Sequence, residues 1–237
     1  MARIVEDGEP RRAPDGTPRT YTLVLPAAEC TILDTWHTVG LRGTGSHDFE
    51  ARGLFVPEGR EFPSRGGTSY QAGPLYNTSF YHVWGPNIAA VALGIARTAI
   101  DVFVELAATK RPSRSAVVLA ERETAQEKVG QAEALLRSGR AFLYETIRET
   151  WRLLSVGLEV PEELTALNRL AAATAVDNAI SAVDLVFTLG GSSSIYTASR
   201  LERCFRDVHV VQQHAVVSPN ATLAAGRYFL GLGLPPR

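Results

Sequence analysis

Residues Leu189 to Ala215, LGGSSSIYTASRLERCFRDVHVVQQHA, gather side chains that could do chemistry. A Gly-Gly-Ser-Ser-Ser loop leads through a short polar segment into a stretch dense in Arg, Asp, His and Gln. At about 100° per residue, Cys204, Val208, Val211 and Ala215 form one narrow apolar stripe. Arg203, Arg206, Asp207, Val210 and His214 form a second stripe beside it, and His209 points elsewhere. An ordinary surface helix opposes one apolar face with scattered charge. Here a carboxylate, two guanidiniums and an imidazole share a line behind a glycine loop, which predicts a site.

The elements that must position this site follow from composition and pattern. The chain has 237 residues, enough to bury a real core as one or two domains. Its 45% apolar and 21% charged residues are those of a globular protein. A formal net charge of −1 gives no general attraction to nucleic acid or to an anionic membrane. The two cysteines, Cys30 and Cys204, lack metal-ligand spacing and are too few for a disulfide framework, so a reducing cytoplasm is the expected setting. The N-terminus carries acids and prolines where a signal peptide needs an apolar run. No uncharged apolar run reaches the length of a bilayer span.

The predicted fold class is α+β, mostly α: a partial β-domain and linker over residues 1–78, then an up-and-down helical bundle over 79–237. Strands are expected at Arg3–Glu6, Tyr21–Leu25, Cys30–Val39 and Asp48–Val56, with a glycine-spaced turn at Gly40–Asp48. Residues 57–78, rich in Pro and Gly, read as a linker or long loop. Helices are expected at Ser79–Thr109, Ala120 to about Val156, Pro161 to about Leu189, Leu201–His214, and from a cap at Asn220 to about Leu232. The section Ala89–Ala96 would allow close packing against neighbours. The second helix should present Val129, Ala132, Leu136, Ala141, Leu143, Ile147 and Leu154 as its apolar face. The β segment would expose one face unless something covers it.

Several readings stay open on residues alone. Gly40–Asp48 is either an anion-binding loop or a tight β connection, and no P-loop pattern completes it. Gly190-Gly191 could be a helix C-cap, although the serines behind it would also suit phosphate or ribose contacts. His214 is either a functional group or a polar helix end. His37, His47 and His82 read as surface or hydrogen-bonded residues, and the five histidines show no zinc spacing, so no metal is expected. No Ser/His/Asp set is arranged for acyl transfer.

Four segments, GLRGTGSHDFEARGLFVPEG, NIAAVALGIARTAIDVF, AERETAQEKVGQAEALLRSGRAFLYE and LGGSSSIYTASRLERCFRDVHVVQQHA, together resemble the acyl-CoA dehydrogenase superfamily in order and spacing. The first resembles the end of its middle β-domain, the others its C-terminal bundle. Acyl-CoA dehydrogenases place a catalytic Glu soon after the Arg-Asp pair. This chain has no carboxylate between Val208 and Ala225 and offers His214-Ala215 instead. That histidine is similar to one in the flavin-dependent two-component monooxygenase branch. The resemblance implies an oxidoreductase using reduced FAD or FMN from a partner flavin reductase, with O₂, to hydroxylate a small aromatic, sulfur or amine substrate.

By the same resemblance His214 handles a proton at the flavin's reactive edge, where a neutral imidazole suits the task. Gly190, Gly191 and Ser192 match a segment that reaches the flavin phosphates from a neighbouring subunit, which implies a homo-oligomer, dimer or tetramer. Arg114, or Arg111, occupies the region of a pyrophosphate-binding arginine, and Thr44 and Ser46 correspond to a loop near the substrate mouth. Arg203, Arg206 and Asp207 would hold the helix. The superfamily's N-terminal helical domain and the opening half of its β-domain have no counterpart here, so the expectation is an enzyme active when another segment or polypeptide supplies them. The competing expectations are an acyl-CoA dehydrogenase acting on CH–CH groups and a helical assembly module without chemistry.

Overall fold

A computed structural model describes residues 2–3, 5–12, 16–64 and 69–235. These fall into two compact units: one comprises the described residues up to His37 together with 42–72, the other Thr38–Leu41 with 73–235.

The first unit is built from short antiparallel pairs. Strands β1 (Ala2–Arg3), β4 (Thr20–Leu23) and β7 (Glu61–Pro63) form one sheet in the order β1-β4-β7. Strand β2 (Val5–Glu6) pairs with β3 (Glu9–Pro10) across Asp7-Gly8, both at positive φ (51° and 85°), the geometry of a tight hairpin turn. Strand β5 (Thr31–Leu33) pairs with β6 (Asp48–Glu50). Among the described residues of this unit Tyr21 is the buried one, 6% exposed, and the Arg11 guanidinium, then that of Arg19, hold its phenol below the usual range. Ile32, Phe49, Phe55 and Phe62 stay exposed.

Three expectations are corrected here. The strand expected over Cys30–Val39 spans only Thr31–Leu33, because the following backbone bonds locally. The Thr35 and Trp36 N–H groups both donate to His47 Nδ1, at 3.2 and 3.1 Å, in place of a continued ladder. The strand expected over Asp48–Val56 likewise stops at Glu50. Finally, the segment read as linker contains β7, an edge strand where Pro63 is tolerated.

The second unit is the bundle: α1 (Phe80–Thr109), α2 (Glu123–Ser155), α3 (Glu162–Gly190), α4 (Arg200–Val211) and α5 (Pro219–Phe229). Helix α3 is central, packing against both α1 and α2. The buried faces of α1 and α3 are alanine-rich: Ala89, Ala92, Ala96 and Ala99 of α1 and Ala172, Ala175, Ala179 and Ala182 of α3 belong to a single core. Small side chains let two long helices approach closely. Gly85 of α1 tightens that contact further, since a Cβ on it would sit 3.3 Å from Ala172 Cβ, and Gly139 does the same for α2 against α3, where a Cβ would sit 3.1 Å from Ala175 Cα. Gly94 plays no such part and is exposed, so the close packing of Ala89–Ala96 is the work of its alanines.

The buried face of α2 runs Ala125, Ala132, Leu136, Gly139, Leu143, Thr146, Thr150 and Leu153. Apolar pattern reading placed Ala141 there, but it is exposed, because Gly139, Thr146 and Thr150 occupy the seam positions. Thr146 donates to Leu143 O, and Thr150 accepts from Asn168 Nδ2 at 2.8 Å, which fixes α2 against α3. Helix α2 ends at Gly157 (φ 74°), with Leu158 N–H on Leu153 O at 3.0 Å, a Schellman-type close. Helices α1 and α3 are long and apolar enough, by length and composition, to cross a membrane. Leu93, Ile100 and Phe103 of α1 and Val176, Val183 and Val186 of α3 lie in the bundle core, and α1 carries the Arg97–Asp101 ion pair at 2.8 Å.

Helix α4 ends three residues earlier than expected. Residues 212–218 form turns, and α5 starts at Pro219 after Ser218 and ends at Phe229. Proline at the first helical position explains that start.

Candidate functional site

On α4 the predicted apolar stripe forms with Leu201, Cys204, Val208 and Val211, all buried. Burial pushes the Cys204 thiol up, away from reactivity. Ser199 caps the helix by accepting from Leu201 N–H at 3.3 Å. Ala215 lies beyond the helix end and is exposed.

The polar stripe does not converge on one point. Arg206 pairs with Glu202 and donates to Val39 O at 2.5 Å, while Asp207 Oδ1 accepts from Leu41 N–H at 2.7 Å. Together they strap Thr38–Leu41 onto α4. The strap lies so close that a Cβ on Gly40 would stand 2.4 Å from Arg206 O. The glycine of this loop therefore serves a backbone approach, a role that local spacing could not reveal. The carboxylate aligned with His214 in sequence is thus engaged elsewhere.

His214 sits in the turn after α4 and is exposed. Val216 N–H approaches its Nδ1 at 3.4 Å, a long contact. That leaves one ring nitrogen free of the chain's own backbone, the arrangement a proton-transferring imidazole needs.

Gly190 and Gly191 close α3. Gly190 is buried, and a Cβ there would collide with Ser194 Oγ at 2.0 Å; that hydroxyl donates to Phe187 O. Gly191 (φ 53°) and Ser192 are exposed. Lys110, at the end of α1, donates to Gly190 O at 2.5 Å and to Ser193 Oγ at 2.8 Å. Sequence reading missed this lysine; a cation just past a helix end, ahead of an Arg-Pro break, was its one local signal.

Arg111 donates to Ala116 O, and Arg114 is exposed at positive φ (63°). Thr44 closes a short 3-10 turn in the first unit, and Ser46 Oγ donates to Thr44 Oγ1 at 3.3 Å. The structure brings Gly190, Gly191 and Ser193 together with Lys110, with Ser192 between them in the chain. It separates them from His214, which follows the far end of α4, a helix of 12 residues and so about 18 Å long.

A second titratable pair went unseen in the sequence. His209 Nδ1 donates to Phe205 O at 2.8 Å, and its Nε2 faces Asp184 Oδ1 at 3.4 Å, a charge contact rather than a hydrogen bond. That oxygen is buried without a hydrogen-bond partner, and burial raises the Asp184 pKa against the lowering pull of His209. A raised folded-state pKa stabilises the fold below the ordinary carboxylate range and loses that contribution as pH climbs through it. Asp184→Asn should therefore be more stable than the parent at neutral pH and lose the advantage near pH 3. With 46% of the Asp184 side chain exposed, the gain should stay under about 1 kcal/mol. Thermal melts of both proteins from pH 3 to 7 test it; an advantage independent of pH would refute it.

Among the described residues no three His, Cys, Asp or Glu side chains are grouped to hold a metal. A family model for the acyl-CoA dehydrogenase C-terminal domain matches residues 87–219. The chain belongs to that family.

Within the acyl-CoA dehydrogenase C-terminal domain family it is 38% identical over 208 residues to indole-3-acetate monooxygenase from Pseudomonas putida, covering 88% of this chain and 53% of that protein. The solved structure of 3-HSA hydroxylase from Rhodococcus sp. RHA1 superposes with a TM-score of 0.85 at 25% identity, over 99% of this chain and 60% of that one. XiaF from Streptomyces sp., solved in complex with FADH2 and glycerol, gives a TM-score of 0.86 at 25% identity, over 98% and 59% of the two chains. The chain spans about half the length of the curated relatives it matches.

Proposed function

We propose that this chain forms the C-terminal part of the oxygenase component of a flavin-dependent monooxygenase that hydroxylates a small aromatic substrate. The observation that carries this reading is the 38% identity, over 88% of the chain, to indole-3-acetate monooxygenase. The chain's own residues agree with it. No Asp or Glu lies between Val208 and Ala225, the stretch where acyl-CoA dehydrogenases, by the resemblance, place the Glu that abstracts the α-proton of an acyl thioester. His214 stands in that stretch instead.

Reduced flavin, FAD or FMN delivered by a reductase, would supply the electrons that split O₂, one oxygen atom entering the substrate and the other leaving as water. The donor set fits a flavin nucleotide's phosphates: Gly191 lies exposed beside the Lys110 ammonium, and Ser192, next in the chain, is exposed too. In this reading Gly190, Gly191, Ser192 and Arg114 hold the cofactor, Thr44 and Ser46 flank the substrate, and His214 takes or returns a substrate proton at Nε2. The β part gives way to the bundle near Ser79.

The separation of His214 from the glycine loop along α4 favours a homo-oligomer, dimer or tetramer, in which one copy's loop serves another copy's site. Light scattering on the purified protein reads that mass, and a monomer at working concentration would count against it. A cytoplasmic setting suits the free, half-buried Cys30 and buried Cys204.

The function is tested by supplying the chain, together with the segment or polypeptide that completes the oxygenase and with a flavin reductase, NADH and flavin, with a panel of indole, phenol and aromatic-acid substrates under ¹⁸O₂. One ¹⁸O per product molecule and substrate-dependent O₂ uptake are expected. Uptake no faster than free reduced flavin alone, across the panel, would sink the reading.

A further inference from the structure

We infer that Lys110 is the phosphate-recognising residue of this chain's flavin-nucleotide site, its ammonium meeting the phosphoryl oxyanion above Gly191. The inference rests on the proposed function and deepens it. It starts from a donor count. An ammonium has three N–H donors, and Lys110 directs two of them at neutral acceptors, Gly190 O at 2.5 Å and Ser193 Oγ at 2.8 Å. Among the described residues no carboxylate pairs with it. A half-buried cation with only neutral partners and one unused donor is an anion site in waiting.

The surroundings leave that third donor approachable. Gly191 is exposed in a left-handed conformation (φ 53°, ψ −139°), and its missing Cβ would lie 3.9 Å from Lys110 Nζ. A side chain there would roof the ammonium; glycine leaves it open. Ser192, exposed and adjacent, adds a hydroxyl donor. The other nearby cations are placed differently. The Arg111 guanidinium is tied to Ala116 O, and Arg114 lies in the exposed turn that Ser115 N–H closes on Pro112 O. Lys110 is thus the cation the fold delivers to the glycine loop, from 80 residues away in sequence.

The competing role is structural. A lysine on Gly190 O also satisfies the last carbonyls of α3 and suits the negative end of its dipole. The two roles differ in what they do to flavins with and without phosphate. The chain, completed by the segment or polypeptide that supplies the rest of the oxygenase, is titrated with riboflavin, FMN and FAD, following flavin fluorescence, as the parent protein and as Lys110→Met and Lys110→Arg. The parent should bind FMN or FAD at least about tenfold more tightly than riboflavin. Lys110→Met should erase that preference while leaving riboflavin affinity unchanged, and Lys110→Arg should retain most of it. Added salt should weaken FMN or FAD binding in the parent more than in Lys110→Met.

If Lys110→Met keeps the preference, or weakens all three flavins equally, the inference is overturned while the flavoenzyme reading stands. If the parent binds none of the three, both are overturned. Should Lys110→Met lose helical circular dichroism, Lys110→Gln carries the same comparison, because its amide can still donate to Gly190 O.

Discussion

Replacing His214 with glutamine should lower product formation by roughly 10²–10⁴-fold, the usual contribution of a positioned acid or base, with the protein otherwise intact. Structure is spared for a local reason. The ring is exposed, and its one hydrogen bond from the chain is the long contact from Val216 N–H. Losing it should change stability by less than about 0.5 kcal/mol. Glutamine preserves polarity and much of the reach but cannot exchange a proton near neutral pH. O₂ uptake should survive better than hydroxylation, because reduced flavin reacts with oxygen without a protein base. The measurement is product per NADH consumed, for parent, His214→Gln and His214→Ala. A variant that couples NADH to product as well as the parent would remove His214 from the mechanism, whatever the protein's substrate.

The second large effect belongs to stability. Gly40→Ala should destabilise the bundle's strap by about 2–3 kcal/mol. The new methyl would meet Arg206 O at 2.4 Å and its carbonyl carbon at 2.6 Å, and both are helix backbone. Helix α4 cannot retreat, since Cys204 and Val208 behind it are buried in the core. The strap must lift, and with it go the bond from Leu41 N–H to Asp207 and that from Arg206 to Val39 O. Gly43→Ala is the control: its Cβ would meet nothing within 4 Å, so it should be neutral within about 0.5 kcal/mol. Hydrogen exchange at the Leu41 amide separates the cases. Protection lost in Gly40→Ala and kept in Gly43→Ala is expected; equal protection in both would show that the strap tolerates the methyl.

Much of the bundle was legible before any coordinates. The three long helices follow from a 3.6-residue apolar period, and their ends follow from Arg111-Pro112, Gly157, Pro161 and Gly190-Gly191, each acting through its own backbone chemistry. The β segment was less legible. Its strands are two to four residues long, too short for alternation to register, and β7 hides in a stretch dense in proline and glycine. The end of α4 was also misjudged, because the sequence from Gln212 onward holds no glycine or proline until Pro219.

For the candidate site the division is sharper. The sequence named His214, Gly190, Gly191 and Ser192 as chemistry-bearing, since residue type and neighbours are local properties. It wrongly aligned Asp207 with His214, because a helical stripe says which side chains share a face but not what lies opposite. It missed the Asp184–His209 pair and Lys110 for the same reason.

By itself, then, the sequence determined the family, the helical order and the supply of reactive groups, all of which are written in short-range periodicity and motif. Only the tertiary structure decided which groups meet. Asp207 is claimed by a backbone amide 166 residues away, and Lys110 reaches the glycine loop across 80 residues. Those pairings depend on how long helices pack through buried alanines, and no local window of sequence contains that geometry.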